Sequence, residues 1–498
     1  MALTGSIQDA RSEIAERMNR LPLTRTHRRV VLVVGVALFF DMFEIFMSGV
    51  LGTVMREEYH LNRTEVSAVI ASVFVGMSIG VLAMGRLADR LGRRRALLVS
   101  VAVYSVFSAL GGLSHGMPML VAARLLAGLG IGPVLPLADA YLSDLLPARL
   151  RGRWTALAYT IAFLGVPAVG LTARWLVPLS PLGVDGWRWL FLTGAVGGFA
   201  VLAARRLFIE SPRWLESAGR TAEADAILTR LEREAGAAAP ASAARIPEQA
   251  AAPEPVAEPV KRAAVPAAPE HGGGAHGGDA QGDPESESAR ARPALGAVHR
   301  RRVTMMTIFH LLQAFGGYGF GTMAPLVLAA KGYSVVNSLL FSALSFAGYP
   351  LGSLFSVPLI ERVERKYLIV GSSLAMASFG LLFGYASVNT TIVLAGVAYT
   401  AVSNVFSNAY HVYQVEIFPT THRVAAVSWT YSLSRITTAA MPFVLVPLLS
   451  RYGPNALFGV VAATLVAIAV DIGVLGPRSN GSTLEDLNER LAPVRRPG

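Results

Sequence analysis

Five ionisable side chains fall inside long apolar stretches of this 498-residue sequence and are the first candidates for chemistry: Asp41, Glu44, Arg124, Asp139 and Arg435. A charge at the centre of a lipid bilayer costs at least about 2.5–3.5 kcal/mol, so each such residue is a functional candidate. Asp41 and Glu44 are three residues apart and share one face of a helix. Burial and a neighbouring like charge both favour the protonated form of a carboxyl group, as a proton-binding site requires.

Arg124 is the candidate partner of this acidic pair. Asp41 lies about 11 residues into its apolar stretch, which is roughly 16 Å at about 1.5 Å per residue. Arg124 lies in the outer part of another stretch, closer in depth to Glu44. We expect Arg124 to pair with one of the two acids, and protonation to break that pair; a static salt bridge is the alternative. Asp139, farther along the same stretch, is a further candidate for proton coupling.

Arg435 lies in the middle of a later stretch and is a candidate clamp for a carboxylate, because a guanidinium donates to both oxygens. The alternative is that Arg435 pairs with an acid such as Glu44 or Asp139. Polar and aromatic side chains in neighbouring stretches are further candidates for substrate binding: Gln313, Tyr318, Asn404, Asn408, His411, Gln414 and Trp429. A mixed aromatic and amide lining suits a small planar substrate, although many of these aromatic residues would equally serve as core.

The elements that position these residues are expected to be membrane-spanning helices. The chain is 53% hydrophobic and only 15% charged, with a net charge of +11, whereas a soluble chain carries about a quarter charged residues. This composition argues against a soluble enzyme and against a nucleic-acid-binding protein, and the lack of cysteine excludes disulfides and thiolate sites. Twelve stretches approach the roughly 20 residues that span a bilayer: 30–54, 66–84, 96–114, 118–146, 154–178, 189–208, 303–330, 336–360, 367–387, 391–417, 424–447 and 454–476.

The arginines are concentrated in alternate loops, which places those loops and both termini in the cytoplasm. In the central loop, residues 210–234 have helical character and are expected to lie along the membrane surface. The Ala/Pro/Gly-rich composition of residues 235–297 predicts a disordered linker. The predicted organisation is an N-terminal segment, a six-helix bundle, a loop, a second six-helix bundle and a tail: 1–29, 30–208, 209–302, 303–476 and 477–498.

The two halves of the chain repeat with an offset of 272 residues. Residues 144–151 (DLLPARLR) and 416–423 (EIFPTTHR) share the pattern acid-x-x-Pro-x-x-x-Arg. The same offset places Asp89 on Glu361 and Asp139 on His411. Duplicated six-helix halves put a substrate site near the middle of the membrane between them, with alternating access by rocking of the halves.

Residues 85–95 (GRLADRLGRRR) resemble the signature loop between the second and third helices of the major facilitator superfamily. Residues 124–132 (RLLAGLGIG) and 210–215 (ESPRWL) are similar to motifs of the branch that contains sugar porters, metabolite:proton symporters and organic-ion transporters. The sequence departs from the pattern at Ile209, where proline is usual, and at Val357 and Glu364, where glycines are usual. The resemblance covers nearly the whole chain except the linker and implies twelve helices in two pseudo-symmetric bundles.

Charged residues at the helix ends of these motifs are candidate gating residues. We expect them to make charge-assisted bonds to the neighbouring half that close the cytoplasmic side in one state. Charges that serve only to set the topology are the alternative. The candidates, with one glycine of the signature loop, are Gly85, Asp89, Arg93, Asp144, Arg151, Glu210, Arg213, Glu361, Arg365, Glu416 and Arg423.

Two further resemblances bear on coupling and substrate. Residues 40–44 (FDMFE) resemble the acid-x-Phe-acid element in the first helix of aromatic-acid:proton symporters, with Met42 where glycine is usual and Glu44 in place of aspartate. Arg435 followed seven residues later by Pro442 resembles the eleventh helix of organic-anion transporters and aromatic-acid symporters. In the resembling porters an acid of the first helix and an arginine of the fourth couple transport to protons.

The sequence therefore predicts a proton-coupled symporter that imports a small organic anion, with an aromatic or heteroaromatic carboxylate as first choice. The alternatives are a sugar or polyol:proton symporter, an exporter of organic cations or drugs, and a non-transporting sensor. No phosphate-binding GxxxxGK[ST] loop, nucleophile arrangement or metal-ligand cluster occurs in the sequence, so we expect no enzyme activity, cofactor or metal. We expect a monomer in a bacterial-type inner membrane, with protons, substrate and lipid as its partners.

Overall fold

The computed structural model describes residue 14 and residues 16–238, 284–418 and 420–478. The regular elements in these ranges are helices. In chain order the α-helices are α1 (Arg25–Glu58), α2 (Arg63–Leu91), α3 (Arg93–Gly112), α4 (Met117–Leu145), α5 (Ala148–Leu176), α6 (Gly186–Ala203), α7 (Pro212–Ser217), α8 (Thr221–Ala238), α9 (Pro284–Ala330), α10 (Val335–Phe346), α11 (Gly348–Arg362), α12 (Arg365–Tyr385), α13 (Asn389–Glu416) and α14 (Thr420–Leu475).

Eleven helical segments of the described ranges are long and apolar enough to cross a membrane. The last of them, Leu433–Leu475, has 43 residues, about twice the length that a bilayer requires. It is interrupted at Gly453, whose φ of 82° is readily adopted only by glycine. The interruption separates the predicted eleventh and twelfth spans. The predicted all-helical membrane fold is confirmed.

Two helix boundaries differ from the sequence-based predictions. Helix α9 begins at Pro284, ahead of the predicted start at 303, because the Glu-, Ala- and Arg-rich residues before the span favour a helix. The predicted span 336–360 is divided at Ala347 into α10 and α11. Pro350 has no N–H to continue the ladder at this point. Predictions for residues 239–283, which form most of the expected linker, lie outside the described residues.

Polar side chains of α13 support the backbone where α10 meets α11. Thr400 donates to the carbonyl of Ser345 at 2.6 Å, and Asn404 donates from Nδ2 to the carbonyl of Tyr349 at 2.7 Å. These bonds join α13 to the backbone on both sides of the break.

The two halves meet through helix pairs that each contain one helix from either half: α1 with α9, α2 with α14, and α5 with α10 and α11. Ser67 of α2 donates to the carbonyl of Pro442 in α14 at 3.1 Å. A Cβ at Gly49 of α1 would lie 2.5 Å from the carbonyl oxygen of Thr322 in α9, so these backbones are in close contact. All of these residues lie near one side of the membrane, the side opposite to the N-terminus and the central loop. The halves are therefore closed on that side.

Residues 14 and 16–21 and the helices α7 and α8 form a small cluster outside the bundle. Met18 is buried there against Trp214 and Leu228. Arg17 donates to Glu232 at 2.9 Å and to Asp225 at 2.7 Å. The predicted helical character of residues 210–234 is confirmed, and their placement along a membrane surface stays a prediction.

Candidate functional site

A buried salt bridge joins α1 to α4 at the centre of the N-terminal half. Arg124 donates from Nη1 to Glu44 Oε2 at 2.9 Å, and both side chains are 0% exposed. Its Nη2 donates to the backbone carbonyl of Glu44 at 2.9 Å and to Ser48 Oγ at 2.7 Å. The structure thus pairs Arg124 with the acid that depth favoured, and the role of the pair in coupling stays a prediction.

Glu44 is held on its second oxygen as well. Ser108 of α3 donates to Glu44 Oε1. Gly194 of α6 leaves room for the carboxylate, because a Cβ at this position would collide with Oε1. Glu44 therefore has hydrogen-bond partners on both oxygens, and one of these partners is a cation.

Asp41 is in the opposite situation. It is 0% exposed, and neither of its carboxylate oxygens has a hydrogen-bond partner within the part of the chain that the structure describes. The charged groups that act on it electrostatically are Arg435, which attracts, and Glu44, which repels. An ionised carboxylate without hydrogen bonds is costly to bury. Asp41 is thus the acid of the pair whose carboxylate is not held by a hydrogen bond from the described residues.

Arg435 faces Asp41 from the other half of the molecule. It lies on α14, is 4% exposed, and donates from Nη1 to the hydroxyl of Tyr318 on α9 at 3.1 Å. The Tyr318 ring packs edge-on against Phe74 of α2, with 5.7 Å between ring centroids. Arg435 and Tyr318 therefore lie at the interface between the halves, where the substrate clamp was predicted.

Most of the other predicted substrate-binding residues make bonds within the C-terminal half. Asn408 donates to Ser356 at 2.7 Å, His411 Nδ1 lies 2.7 Å from the carbonyl of Ser407, and Gln414 lies 3.1 Å from His310 Nε2. Each of these contacts spans neighbouring turns or neighbouring helices, as in ordinary packing of polar residues between membrane helices.

The remaining candidates differ in their surroundings. Asn404 uses its Nδ2 to hold the α11 backbone, and Gln313 is 4% exposed on α9. Asp139 accepts a bond of 2.6 Å from the hydroxyl of Tyr159 on α5. The side chain of Trp429 lies outside the described residues.

The predicted gating residues form ion pairs inside each half. Arg93 Nε lies 3.9 Å from Asp144 Oδ2, and Arg365 Nε lies 3.4 Å from Glu416 Oε1. These two pairs are related by the 272-residue offset, which supports the repeat. Their expected bonds to the neighbouring half, in the state in which the cytoplasmic side is closed, stay a prediction. Both helix ends of each pair belong to the same six-helix bundle and lie side by side within it.

Glu210 accepts from the backbone N–H of Arg94 at 3.0 Å and of Ser211 at 3.1 Å, and Arg213 donates to Asn19 at 3.1 Å. Arg151 lies close enough to Asp144 for electrostatic attraction. Four predicted gating residues have side chains outside the described part: Gly85, Asp89, Glu361 and Arg423.

Two tyrosines extend the symmetry of the ion pairs. The hydroxyl of Tyr141 donates to the carbonyl of Ile209, just after the sixth span, and that of Tyr413 donates to the carbonyl of Pro477 at 2.9 Å, just after the twelfth. Tyr141 and Tyr413 are also related by the offset of 272. The bond from Tyr141 holds the backbone of Ile209, the residue that stands where proline is usual.

Sequence reasoning missed three hydroxyl groups of the acidic site. Ser48 and Ser108 bond to the salt bridge, as described above. Tyr104 of α3 is 0% exposed, its hydroxyl has no hydrogen-bond partner among the described residues, and both Asp41 and Glu44 act on it electrostatically. The available signal was helical spacing: Ser48 is one turn after Glu44, and Tyr104 is one turn before Ser108.

The described ranges contain no group of three or more histidine, aspartate or glutamate side chains that could hold a metal ion. Two acid–arginine pairs stand out among the described interior residues: a hydrogen-bonded pair, Glu44 with Arg124, called here the closed pair, and a pair without a bond to the acid, Asp41 with Arg435, called here the open pair. In such an arrangement a guanidinium can bind an anion and a carboxylate can bind a proton. The guanidinium can also exchange its carboxylate partner for the bound anion.

Comparisons with known proteins agree with this architecture. A family model described as Major Facilitator Superfamily matches residues 34–350, and one described as Sugar (and other) transporter matches residues 278–491. The chain is a member of the major facilitator superfamily. It is a multi-pass membrane transport protein and not an enzyme.

Relatives and a solved structure cover nearly the whole chain. The putative metabolite transport protein YyaJ of Bacillus subtilis is 28% identical over 95% of this chain and 97% of its own length. The niacin transporter NiaP of Acinetobacter baylyi is 25% identical over 95% of this chain and 99% of its own. The xylose transporter XylE of E. coli, in a partially occluded inward open conformation, superposes with a TM-score of 0.69 at 18% identity, covering 92% and 99% of the two chains. That likeness concerns the fold.

Proposed function

We propose that this transporter is a proton-coupled symporter that imports a small organic anion, an aromatic or heteroaromatic carboxylate. The observation that carries the proposal is the open pair of Asp41 and Arg435. A buried acid that has no hydrogen-bond partner among the described residues faces a buried guanidinium of the other half. A static structural ion pair would be expected to close into a hydrogen-bonded contact, as Glu44 and Arg124 do.

The coupling follows from competition for one cation. A substrate carboxylate that binds Arg435 replaces Asp41 as the counter-ion of the guanidinium. Asp41 then loses its source of attraction and has to take up a proton to remain buried. Binding of the anion and binding of the proton thus favour each other, which is the requirement for symport.

The closed pair of Glu44 and Arg124 has a second role in this scheme. The negative charge of Glu44 repels an ionised Asp41 and so raises the free-energy cost of ionising it. Because Glu44 is held by Arg124 and Ser108, it supplies this repulsion from a fixed position. Protonation of Glu44 would leave the buried guanidinium unbalanced, so we place the transported proton on Asp41.

The substrate class is supported by the relatives and by the aromatic lining. Niacin, the substrate named for the Acinetobacter relative, is a pyridine carboxylic acid. Tyr318 places an aromatic ring beside Arg435, which suits a planar substrate ring. The alternative is a sugar:proton symporter, favoured by the match of the C-terminal half to the sugar transporter family and by the fold likeness to the xylose transporter.

We further propose a bacterial inner membrane as the location, with both termini in the cytoplasm and the protein acting as a monomer. The halves meet on the side away from the termini. With the termini inside the cell, the conformation is inward-facing, as in the solved XylE structure named above. Rocking of the halves would then open the outer side, away from the termini, to substrate.

Binding measurements separate the anion from the sugar. The purified full chain is titrated with nicotinate, benzoate and xylose, with Arg435→Ala as the test and Arg174→Ala, near the outer end of α5, as the matched control. Loss of one partner of a buried charge pair costs about 2–5 kcal/mol, so Arg435→Ala should weaken carboxylate binding by roughly 30-fold or more. Tight xylose binding that survives Arg435→Ala would refute the anion proposal.

A further inference from the structure

A cavity of about 400 Å³ lies at the ends of α9 and α12 and at the start of the twelfth span, on the side of the molecule away from the termini. It is separate from the acidic site. Its lining combines one ammonium group with tyrosine rings and small polar groups: Lys331, Tyr333, Tyr385, Ser387, Tyr452 and Asn455. A volume of this size is that of a small-molecule site.

Lys331 supplies the charge of this cavity. Its Nζ donates to the carbonyl of Ala386, the C-cap residue of α12, at 2.6 Å. An ammonium has three donors, so one bond to a carbonyl leaves it able to donate to an anion. Partial burial lowers the pKa of Lys331, and an anionic ligand would offset that cost. Arg451 adds a second cation close by, 5.3 Å from the centre of the Tyr452 ring.

The cavity lies on the outer flank of the bundle. Helix α12 packs mainly on α13 and α14, which belong to its own half. Tyr385 and Tyr452 at the rim are 65% and 61% exposed, and Leu382, about one turn deeper on α12, is also exposed. Tyrosine is typical of the boundary between membrane and water. A ligand with an anionic head and an apolar tail would therefore place its head in the cavity and its tail along α12.

We propose that this cavity binds the phosphodiester headgroup of an anionic phospholipid from the leaflet away from the termini. Lys331 donates to the phosphate, and the tyrosine, serine and asparagine groups donate to the headgroup oxygens. The acyl chains lie on the exposed apolar surface below Tyr385. Free phosphate shares the recognition chemistry, but it would make no use of that apolar surface.

The test follows the melting temperature of the purified full chain in detergent as lipid is added. Dioleoylphosphatidylglycerol is compared with dioleoylphosphatidylcholine, and with inorganic phosphate and sn-glycerol 3-phosphate, which have no acyl chains. Lys331→Gln is the test variant. Lys366→Gln is its matched control, because Lys366 donates in the same way to the carbonyl of Gly476, at 2.8 Å, on the opposite side of the membrane.

We expect phosphatidylglycerol to raise the melting temperature of the wild type and of Lys366→Gln. Lys331→Gln should require roughly 10- to 100-fold more lipid for the same rise, as loss of a charge-assisted bond predicts. Lys331→Arg, which keeps the charge, should restore the response and shows that the loss is not a folding defect. An unchanged response in Lys331→Gln would overturn the proposal. An equal rise with inorganic phosphate or sn-glycerol 3-phosphate would overturn the lipid as the ligand.

Discussion

The two acids of α1 should respond to different degrees to removal of their charge. In Glu44→Gln the guanidinium of Arg124 stays fully buried but loses its counter-ion, and a bond of 2.9 Å is weakened. Removal of one partner of a buried pair costs about 3–5 kcal/mol. In Asp41→Asn the charge is removed from a group that has no hydrogen-bond partner among the described residues, and Arg435 keeps its bond to Tyr318, so the loss in unfolding free energy should be smaller than in Glu44→Gln.

Thermal unfolding in detergent measures this difference. For a unit of the size of one six-helix half, 1 kcal/mol corresponds to about 2–4 °C, so Glu44→Gln should melt roughly 6–20 °C below the wild type. Asp41→Asn, a matched substitution one turn away on the same helix, is the control and should melt above Glu44→Gln. Tryptophan fluorescence reports the transition for both variants.

A double variant checks the cause of the loss. Glu44→Gln combined with Arg124→Gln removes the unbalanced charge, so it should melt above Glu44→Gln alone. If Asp41→Asn melts as far below the wild type as Glu44→Gln does, the distinction between a closed and an open pair is wrong. The same holds if Glu44→Gln melts with the wild type.

Three further predictions concern the surroundings of the site. Gly194→Ala should destabilise the protein by about 1–3 kcal/mol in the same melting assay, because its Cβ would collide with Glu44; a neutral result would contradict the packing. Asn404→Leu should cost about 0.5–1.5 kcal/mol and increase hydrogen exchange at the junction of α10 and α11, because it removes the bond from Nδ2 to the carbonyl of Tyr349. Arg93→Gln should change the melting temperature little, because its 3.9 Å contact with Asp144 is partly exposed, and a large loss would show that the pair matters for folding.

Much of the fold follows from the sequence because the membrane imposes simple rules. Apolar length and helical geometry predict spans such as 118–146, which the structure forms as α4 (Met117–Leu145). The 272-residue offset relates the pair Arg93–Asp144 to the pair Arg365–Glu416, and both pairs form. These features are local or periodic, so one sequence reveals them.

What the sequence does not predict depends on contacts between distant residues. The break at Ala347 requires the carbonyl partners that α13 supplies, and a proline inside a membrane helix does not by itself end the helix. Depth along the spans favoured Glu44 as the partner of Arg124, but it could not indicate that Asp41 has no hydrogen bond to the part of the chain that the structure describes. Likewise, nothing in the spacing of the sequence predicts that Tyr318 bonds to Arg435.

Transport by purified protein in liposomes tests the central claim, that Asp41 couples the movement of protons to that of an organic anion. Vesicles with an alkaline interior are supplied with the labelled carboxylate that binds best, and uptake is followed for the wild type and for Asp41→Asn. The wild type should accumulate substrate above the outside concentration. Asp41→Asn should exchange substrate across the membrane but should not accumulate it. Accumulation by Asp41→Asn at the wild-type level would contradict the assignment of the proton to this residue.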